Sequence, residues 1–571
     1  MKRIIQVIIL ILILEVTFQQ CANPLTPTGG PKDTIPPTLL LSEPVDQTIN
    51  FSGNEFTLYF DEFISADQLK QNLIITPYSD IKYKSTVKRR DLILKFDGDF
   101  LDSTTYTLNF FDGVTDITEK NPAENLIIAF STGNYIDSLR TIGSVRDLMT
   151  NKPIPKMTVG LYIPSDTLDI FIDKPYYFVN TSEKGTFEIK NIKKGKYIIA
   201  AFLDENRNLS LDPATETYAY LKDTLSPSVN PDSLYLKGFQ LDASQLKFIS
   251  ARPSGKYFEA RYSKPVNTYE IKTIDSSQTV FHNLTDEKDA IRFYNTIAAV
   301  QPDSIGVIIN AEDSIHNSTL DTVYIQFRET ARKAAEFKHT IYPPSATNIN
   351  QNSIYRIEFS KPILNVDTTF LSYSLDSLYT FPLPIHNLKF NFNQTQITFQ
   401  TAIDQKIYTD TLESLLLKHM PDTANLDSIN LIYYHLLSKL PKNKVKLDIA
   451  RDAFISVEQD SSKTFSQSYS FLDAENFGLI KIKITTEEPS YIVQILNKQG
   501  HVSKQIPNCT DCRFDMMKPD SYSVRVLIDK NQNGTWDIGN IRNFEEPEPV
   551  IHFPKASELR ANWTLELEYS F

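Results

Sequence analysis

Histidine and cysteine are scarce in this sequence, which has 571 residues but only eight histidines and three cysteines. The first histidine is His282, and no two histidines have the spacing of metal ligands on one helix face. The chain also lacks the H-E-x-x-H zinc motif, the G-x-S-x-G nucleophile turn and the G-x-x-x-x-G-K-S/T phosphate loop. We therefore expect a protein that is not an enzyme. Two distant carboxylates would be enough for a glycosidase, so that alternative stays open.

Positive charge is also in short supply. The chain has 58 Lys and Arg against 70 Asp and Glu, which gives a formal net charge of −12 and a sequence pI near 5.3. A polyanion would be repelled at long range rather than attracted. We therefore expect no nucleic-acid partner.

Apolar and aromatic residues are plentiful. They include 35 Phe and 28 Tyr, and the apolar fraction of 41% is enough for packed cores. A single hydrophobic core stops growing at roughly 250 to 300 residues, so a chain of this length holds several domains. We expect globular domains in series.

The N-terminus has the pattern of a secretory signal. Lys2 and Arg3 precede the apolar run IIQVIILILIL at 4–14, which is shorter than the roughly 20 residues that a membrane-spanning helix needs. Cys21 follows, and a cysteine placed there is typical of lipoproteins, whose thiol is alkylated by diacylglycerol. Two or more acyl chains would anchor the protein firmly. Phe18, Gln19 and Gln20 depart from the usual residues before such a cysteine, so a secreted protein cleaved elsewhere is the alternative.

Most of the remaining chain consists of short segments in which apolar and polar residues alternate. Examples are EFTLYF at 55–60 and DLILKF at 91–96, separated by turn-forming residues. This pattern predicts all-β sandwiches.

The chain also repeats itself. Residues 43–64 align without a gap to residues 342–363 at an offset of 299, and YFEARYSKPV at 257–266 is a weaker third copy. A second repeat, at an offset of 325, relates 195–212 to 520–537. Two sandwich types therefore alternate in the order A-B-A-A-B. Residues 411–440 have helical spacing of apolar residues and predict a small helical insertion in the fourth domain.

These patterns divide the chain into seven segments. They are a signal peptide at 1–20, a Pro- and Gly-rich tether at 21–36, and five β domains at 37–133, 134–245, 246–335, 336–475 and 476–571.

The second repeat carries a recurring Asp-x-Asn-x-Asn pattern. Oxygen-bearing side chains fall at loop positions 1, 3, 5 and 9, as in calcium loops, and the second copy has Gly534 at position 6. Neither copy has Glu at position 12, so only weak calcium binding is expected. A structural turn in which Asn and Asp bond their own backbone is the alternative. The candidate ligands are Asp204, Asn206, Asn208 and Asp212 in the first loop and Asp529, Asn531, Asn533 and Asp537 in the second.

Cys509 and Cys512 form a lone C-x-x-C pair. A structural zinc site needs four ligands, and nearby His501 supplies at most a third. We expect a local disulfide or two free thiols. Trp536 and Trp563 are the only tryptophans, and each is a candidate for either core packing or an exposed docking platform.

The sequence resembles a known family. CANPLTPTGGPKDTIPP at 21–37, YFDEF at 59–63 and AFSTG at 129–133 are similar to bacterial Ig-like lipoproteins of the Bacteroidota, whose mature N-terminus carries Cys, PTGGPKD and PP. The B segments, DKNQNGTWDIGN at 529–540 and residues 547–569 resemble carboxypeptidase-regulatory or transthyretin-like sandwiches.

This resemblance implies an Ig-like lipoprotein that accompanies the outer-membrane β-barrel assembly machinery. Its partners would be the outer membrane, reached through a lipid on Cys21, and a β-barrel protein or other lipoproteins. The other function that we consider is a cell-surface glycan-binding or adhesion lipoprotein. Neither face of the outer membrane is favoured by the sequence.

Overall fold

The computed structural model describes residues 33–296, 304–328, 330–349, 352–374, 380–403, 444–472 and 474–571. The predicted signal peptide, Cys21 and the helical insertion predicted at 411–440 lie outside the described residues. The chain divides into two compact units. The first comprises the described residues up to Asp147 with Lys152–Asp212 and Glu216–Gly238, and the second comprises Leu148–Asn151, Pro213–Thr215 and Phe239–Phe571.

The first sandwich, in the first unit, packs a sheet of order β1-β2-β6-β5 against a sheet of order β4-β7-β9, with β3 paired to β8. Phe56, Leu58 and Phe60 alternate with polar residues along β2 and enter the core, as the sequence pattern predicts. The strands are β1 Leu39–Glu43, β2 Glu55–Phe60, β3 Ile64–Ser65, β4 Ile74–Thr76, β5 Lys82–Lys88, β6 Asp91–Asp97, β7 Thr105–Asn109, β8 Thr115–Asp116 and β9 Ile127–Ser131, with a short helix α1 at Leu69–Asn72 and a 3-10 turn at Phe111–Gly113.

The second sandwich, also in the first unit, is built on a seven-stranded sheet of order β12-β11-β14-β15-β16-β10-β13. β10 runs parallel to β16 and antiparallel to β13. The strands are β10 Leu139–Asp147, β11 Thr158–Tyr162, β12 Tyr177–Asn180, β13 Thr186–Ile192, β14 Ile198–Phe202, β15 Thr217–Tyr220 and β16 Ser233–Gln240.

The third sandwich, in the second unit, has sheets of order β17-β18-β21-β20 and β19-β22-β23. Its core includes Phe258, Phe293 and Val307. The strands are β17 Phe248–Ser254, β18 Tyr257–Tyr262, β19 Thr268–Thr273, β20 Phe281–Leu284, β21 Ala290–Tyr294, β22 Ile305–Glu312 and β23 Ser318–Ile325.

The fourth sandwich, in the same unit, has sheets of order β24-β26-β31-β30 and β25-β34-β32-β28-β29, and β27 pairs with β33. The strands are β24 His339–Tyr342, β25 Asn348–Ile349, β26 Asn352–Phe359, β27 Ile363–Val366, β28 Leu371–Ser374, β29 Thr380–Pro382, β30 Ile385–Phe390, β31 Gln396–Ala402, β32 Lys444–Ile449, β33 Phe454–Ser456 and β34 Phe465–Phe471, with 3-10 turns at Thr368–Phe370 and Ala474–Asn476.

The fifth sandwich completes the second unit with sheets of order β38-β35-β41 and β37-β36-β39-β40. Its first strand, β35, runs parallel to β41 and antiparallel to β38, the pairing that β10 has in the second sandwich. The strands are β35 Gly478–Thr485, β36 Tyr491–Leu496, β37 Val502–Pro507, β38 Asp511–Met517, β39 Asp520–Ile528, β40 Val550–Leu559 and β41 Thr564–Ser570, with a 3-10 turn at Ile541–Asn543.

The predicted all-β fold of tandem sandwiches is confirmed. The first, third and fourth sandwiches each have a four-stranded sheet of the same order. In each sheet an edge strand pairs with the strand that carries the repeated motif, and that strand pairs in turn with a strand of a hairpin. Each predicted β segment also holds a buried apolar cluster of its own. The exact domain boundaries stay predictions. Within the described residues, no helix is both long and apolar enough to cross a membrane.

Candidate functional site

The second Asp/Asn loop, at 529–537, joins β39 to β40 and is organised around the buried carboxylate of Asp529. That carboxylate accepts hydrogen bonds from the backbone N–H groups of Asn533 at 3.2 Å and Gly534 at 3.0 Å. It also accepts one from the hydroxyl of Ser490 at 2.8 Å. Burial raises the pKa of Asp529, but these donors outweigh it, so the pKa lies below its ordinary value.

The structure brings three of the four predicted ligands of this loop into direct contact. The side-chain amides of Asn531 and Asn533 both donate to Asp537 Oδ2, at 2.6 and 2.8 Å. The Oδ1 atom of Asn531 accepts the backbone N–H of Asn533 at 3.0 Å. Positions 3, 5 and 9 therefore converge, and the loop closes through its own hydrogen bonds.

Glu548 is the residue of this loop that sequence reasoning missed. Its buried carboxylate accepts the backbone N–H of Lys530 at 2.7 Å through Oε1 and that of Asp537 at 2.9 Å through Oε2. The carboxylate thus ties loop position 2 to position 9. The indole N–H of Trp536 donates to the carbonyl of Glu548 at 3.1 Å, which gives this half-buried tryptophan a structural contact.

The first loop, at 204–212, repeats this plan. Asp204 accepts the backbone N–H groups of Asn208 and Leu209, each at 3.0 Å, and Asn206 Oδ1 accepts that of Asn208 at 3.0 Å. The buried Glu216 accepts the N–H of Glu205 at 3.3 Å and that of Asp212 at 2.9 Å, again tying position 2 to position 9.

The two closing glutamates had no usable sequence signal. Glu216 comes four residues after the last aspartate of its loop and Glu548 eleven residues after, so a gap-free alignment of the repeats does not pair them. Burial raises the pKa of Glu216, an effect that the N–H of Asp212 opposes and Asp204 reinforces. The carboxylate of each glutamate accepts backbone N–H groups of its own loop.

The fit of calcium to these loops is partial. The side chains supply the oxygen donors that Ca²⁺ prefers, but those oxygens already accept backbone N–H groups, as in Asx turns. In the described part of the chain, no three or more His, Cys, Asp and Glu side chains are grouped closely enough to hold a metal. If Ca²⁺ binds, its ligands would be the Asp and Asn side chains of each loop, and it would fix a loop that is already closed. Calcium at either loop stays a prediction.

Cys509 and Cys512 are joined by a disulfide between β37 and β38, with their Cα atoms 5.1 Å apart. Cys512 is buried in the fifth core. Within this short loop the disulfide links the end of one strand to the start of the next.

Two buried lysines form ion pairs that sequence reasoning also missed. Lys264 Nζ lies 2.7 Å from Asp313 Oδ2 in the third sandwich. In the fourth, Lys361 is 1% exposed and pairs with Glu458 at 2.7 Å and with Asp460. Both belong to the S-K-P sequence of the repeated motif, which was the available signal.

The comparisons with solved structures give only remote likenesses. Domains 1–6 of the surface layer protein SbsC are 10% identical, with 92% of this chain and 67% of that chain covered and a TM-score of 0.16. The major pilin subunit BcpA of Bacillus cereus is 9% identical, with 76% and 99% covered and a TM-score of 0.12. Dimeric latent PorU from Porphyromonas gingivalis is 7% identical, with 72% and 46% covered and a TM-score of 0.22. Scores this low carry no functional argument.

The family comparison is informative for one part of the chain. No curated protein matches the sequence. The model of the bacterial Ig-like domain matches residues 33–132, which contain the whole first sandwich. The first sandwich is therefore similar to bacterial Ig-like domains.

Proposed function

We propose that this chain is a non-enzymatic lipoprotein of the bacterial outer membrane that works as a docking subunit of a membrane protein complex. The observation that carries the proposal is the order of the N-terminal features. A basic start and a short apolar run precede Cys21, a Pro- and Gly-rich tether follows, and the match to the bacterial Ig-like domain begins at residue 33. A lipid on Cys21 would hold the sandwiches at a membrane surface.

The contacts of the buried charged side chains support a role in binding rather than in catalysis. Asp529 and Glu548 hold a loop, and Lys264 and Lys361 neutralise carboxylates inside their sandwiches. Each of these charged groups bonds to several partners within its own sandwich, which is a structural use of charge. Sheet edges such as β5 in the first sandwich offer backbone groups to a partner strand without any special side chain.

The most specific form of the proposal is a subunit that accompanies the outer-membrane β-barrel assembly machinery. It rests on the resemblance of residues 21–37 and of the B-type sandwiches to that lipoprotein family. The partners would be a β-barrel protein or other lipoproteins, at either the periplasmic face or the cell surface.

The anchor is tested by replacing its thiol. We expect mass spectrometry to find diacylglycerol on Cys21 and cell fractionation to find the chain with the outer membrane. Cys21→Ser should release it into the soluble fraction, whereas the double variant Cys509→Ser/Cys512→Ser should stay with the membrane. An unmodified Cys21 in a membrane-bound chain would refute the anchor.

The docking role is tested by affinity purification of the tagged chain from detergent extracts. We expect a β-barrel protein to co-purify in a stable ratio with the wild-type chain. Recovery of the chain without any barrel protein would refute the assembly role while leaving the anchor intact.

A second candidate function is glycan binding at the cell surface. Trp563 is 58% exposed, and the guanidinium of Arg560 lies 5.1 Å from its ring centroid. An exposed indole offers a large apolar surface and one N–H donor to a ligand, although Arg560 lies over one face of this ring. A glycan array should give hits that Trp563→Ala abolishes, and an array without hits would remove this candidate.

A further inference from the structure

The repeated motif of the A-type sandwiches places a lysine ammonium at one defined point in two copies. In the third sandwich, Lys264 Nζ contacts Asp313 Oδ2 at 2.7 Å and the carbonyls of Ser244 and Asp242 at 2.6 and 2.9 Å. It therefore joins the segment that enters the sandwich to the turn after β22. In the fourth sandwich, Lys361 pairs with Glu458 and Asp460, which both lie in the turn after β33.

The first sandwich has Glu62 at the corresponding position. The offset of 299 that aligns Phe60 with Phe359 and Ile64 with Ile363 also aligns Glu62 with Lys361. The strand pairing agrees, because Ile64 pairs with Asp116 as Ile363 pairs with Ser456.

The surrounding acceptors are nevertheless retained in the first sandwich. Asp116 is fully buried and accepts backbone N–H groups of the turn that follows it, as Asp313 does in the third sandwich. Asn121 Nδ2 donates to the carbonyl of Asp33 at 3.1 Å, as Asn317 Nδ2 donates to that of Ser244 at 3.4 Å. The carbonyl and carboxylate that receive an ammonium in the third sandwich thus have counterparts in the first.

Negative charge is concentrated around Glu62 as a result. Burial raises the pKa of Glu62, and the carboxylates of Asp116, Asp61 and Asp33 raise it further, while Arg90 lowers it. Glu62 has no hydrogen-bond or ion-pair partner among the described residues.

The nearby cations among the described residues have other contacts. The guanidinium of Arg90 lies 5.5 Å from the ring centroid of Phe63. Lys120 Nζ lies 4.0 Å from Asp67 Oδ2. Among the residues that the structure describes, no cation forms an ion pair with the carboxylate of Glu62.

Exposed apolar side chains lie close in sequence to Glu62, Asp33 and Asp116. Ile35 is 70% exposed, Phe63 is 49% exposed and Ile117 is 51% exposed, and each is within two residues of one of the acidic groups. Exposed apolar side chains beside a half-buried charge give the mixed apolar and polar surface that protein interfaces use.

We propose that the Glu62 end of the first sandwich docks a lysine or arginine side chain of a partner protein, flanked by apolar residues of that partner. The bound cation takes the position that Lys264 and Lys361 take in their own sandwiches. This inference rests on the proposed docking function and names the chemistry of its partner. An ammonium fits better than a metal ion, because the described residues bring no three metal-binding side chains close together here and two sister sandwiches already hold an ammonium at this point.

The test uses the purified full-length chain with labelled isoleucine methyl groups, followed by NMR. The probes are the tripeptides Ac-Phe-Lys-Ile-NH2 and Ac-Phe-Arg-Ile-NH2, with Ac-Phe-Gln-Ile-NH2 as the neutral control. We expect the methyl signals of Ile35 and Ile117 to report binding of the cationic peptides at least about fivefold tighter than that of the neutral one. The difference should shrink in high salt, because exposed charge interactions are screened.

The decisive variant is Glu62→Lys, which gives the first sandwich the lysine of its sister copies. We expect it to abolish the preference for cationic peptides and to raise the unfolding temperature of the first sandwich, since its own ammonium then occupies the site. Asp102→Lys, at the opposite end of this sandwich, changes charge equally and should keep the preference. If Glu62→Lys does not fold, Glu62→Gln should weaken the preference without abolishing the apolar contact.

Three outcomes would overturn the inference. They are equal binding of cationic and neutral peptides, equal loss in Glu62→Lys and Asp102→Lys, and saturable Ca²⁺ or Mg²⁺ binding at Glu62 that cationic peptides do not displace. None of these affects lipidation of Cys21 or co-purification of a barrel protein, so a failure here is distinct from a failure of the proposed function.

Discussion

His282 should make the third sandwich sensitive to mild acid. Its ring lies among Tyr269, Phe293 and Phe392, and its Nδ1 atom is 3.0 Å from the hydroxyl of Tyr269. No ion pair of the described residues involves this histidine. Burial lowers the pKa of His282 from 6.5 to about 4, because it removes the hydration that stabilises an imidazolium.

The sign of the effect follows from proton linkage. Between about pH 6.5 and pH 4 the unfolded state binds a proton that the folded state excludes, so stability falls as the pH falls. For these two pKa values the loss between about pH 7.5 and pH 5 is about 2 kcal/mol, and it approaches about 3 kcal/mol in stronger acid. A loss of about 2 kcal/mol corresponds to roughly 30-fold lower protection against local opening.

The assay is hydrogen exchange by mass spectrometry on the full chain, read from peptides that cover β20 and β21 and corrected for intrinsic rates. The wild-type chain should lose about 30-fold protection over this pH range. His282→Gln should remove that pH dependence whatever its effect on absolute stability. His386→Gln changes an exposed histidine of the fourth sandwich. This variant should keep the pH dependence of protection in β20 and β21. An equal pH dependence in wild type and His282→Gln would refute the reasoning.

Two further predictions concern charge in the interior and in the loops. Lys361→Ala leaves Glu458 and Asp460 without their cation and should cost about 3 kcal/mol in urea unfolding, whereas Lys389→Ala on an exposed strand should change stability by less than about 0.5 kcal/mol. Calcium at about 1 mM should stabilise the fifth sandwich by about 1.4 kcal/mol over EDTA if Kd is near 10⁻⁴ M, and Asp537→Asn should cancel the difference. Identical calorimetric curves with and without EDTA would refute calcium binding. The loop would then be closed by its hydrogen bonds alone.

The strands could be predicted because their signal is local. In β2, Phe56, Leu58 and Phe60 face the core while Glu55 faces solvent, and that alternation is visible in six consecutive residues. The sheet order of the A-type sandwiches could be expected to recur because the repeated segment preserves the same alternating face. The parallel pairing of β10 with β16 had no such signal, because its two strands are separated by most of the domain.

The details of the sites depend on distant partners and were not predictable in the same way. Lysine is usually exposed, so the burial of Lys361 depends on Glu458 and on Asp460, which is 99 residues later in the chain. Glu548 closes its loop from a position two residues before β40, at a separation that differs from that of Glu216. The Asp/Asn spacing could be recognised, but whether its oxygens face a metal or the backbone depends on these closing carboxylates.

The difference between Glu62 and its lysine counterparts links stability to recognition. Lys264 bonds the carbonyl of Ser244 and the carboxylate of Asp313, so the entering segment and the turn are held by one ammonium of the same chain. In the first sandwich the entering segment includes the end of the tether, and among the described residues Asn121 bonds its carbonyl at Asp33. An ammonium from a partner would complete the same set of contacts and fix that segment only when the partner is bound. Stabilisation by Glu62→Lys and loss of docking are therefore expected to arise from one contact, because the introduced ammonium would take the position proposed for the cation of the partner.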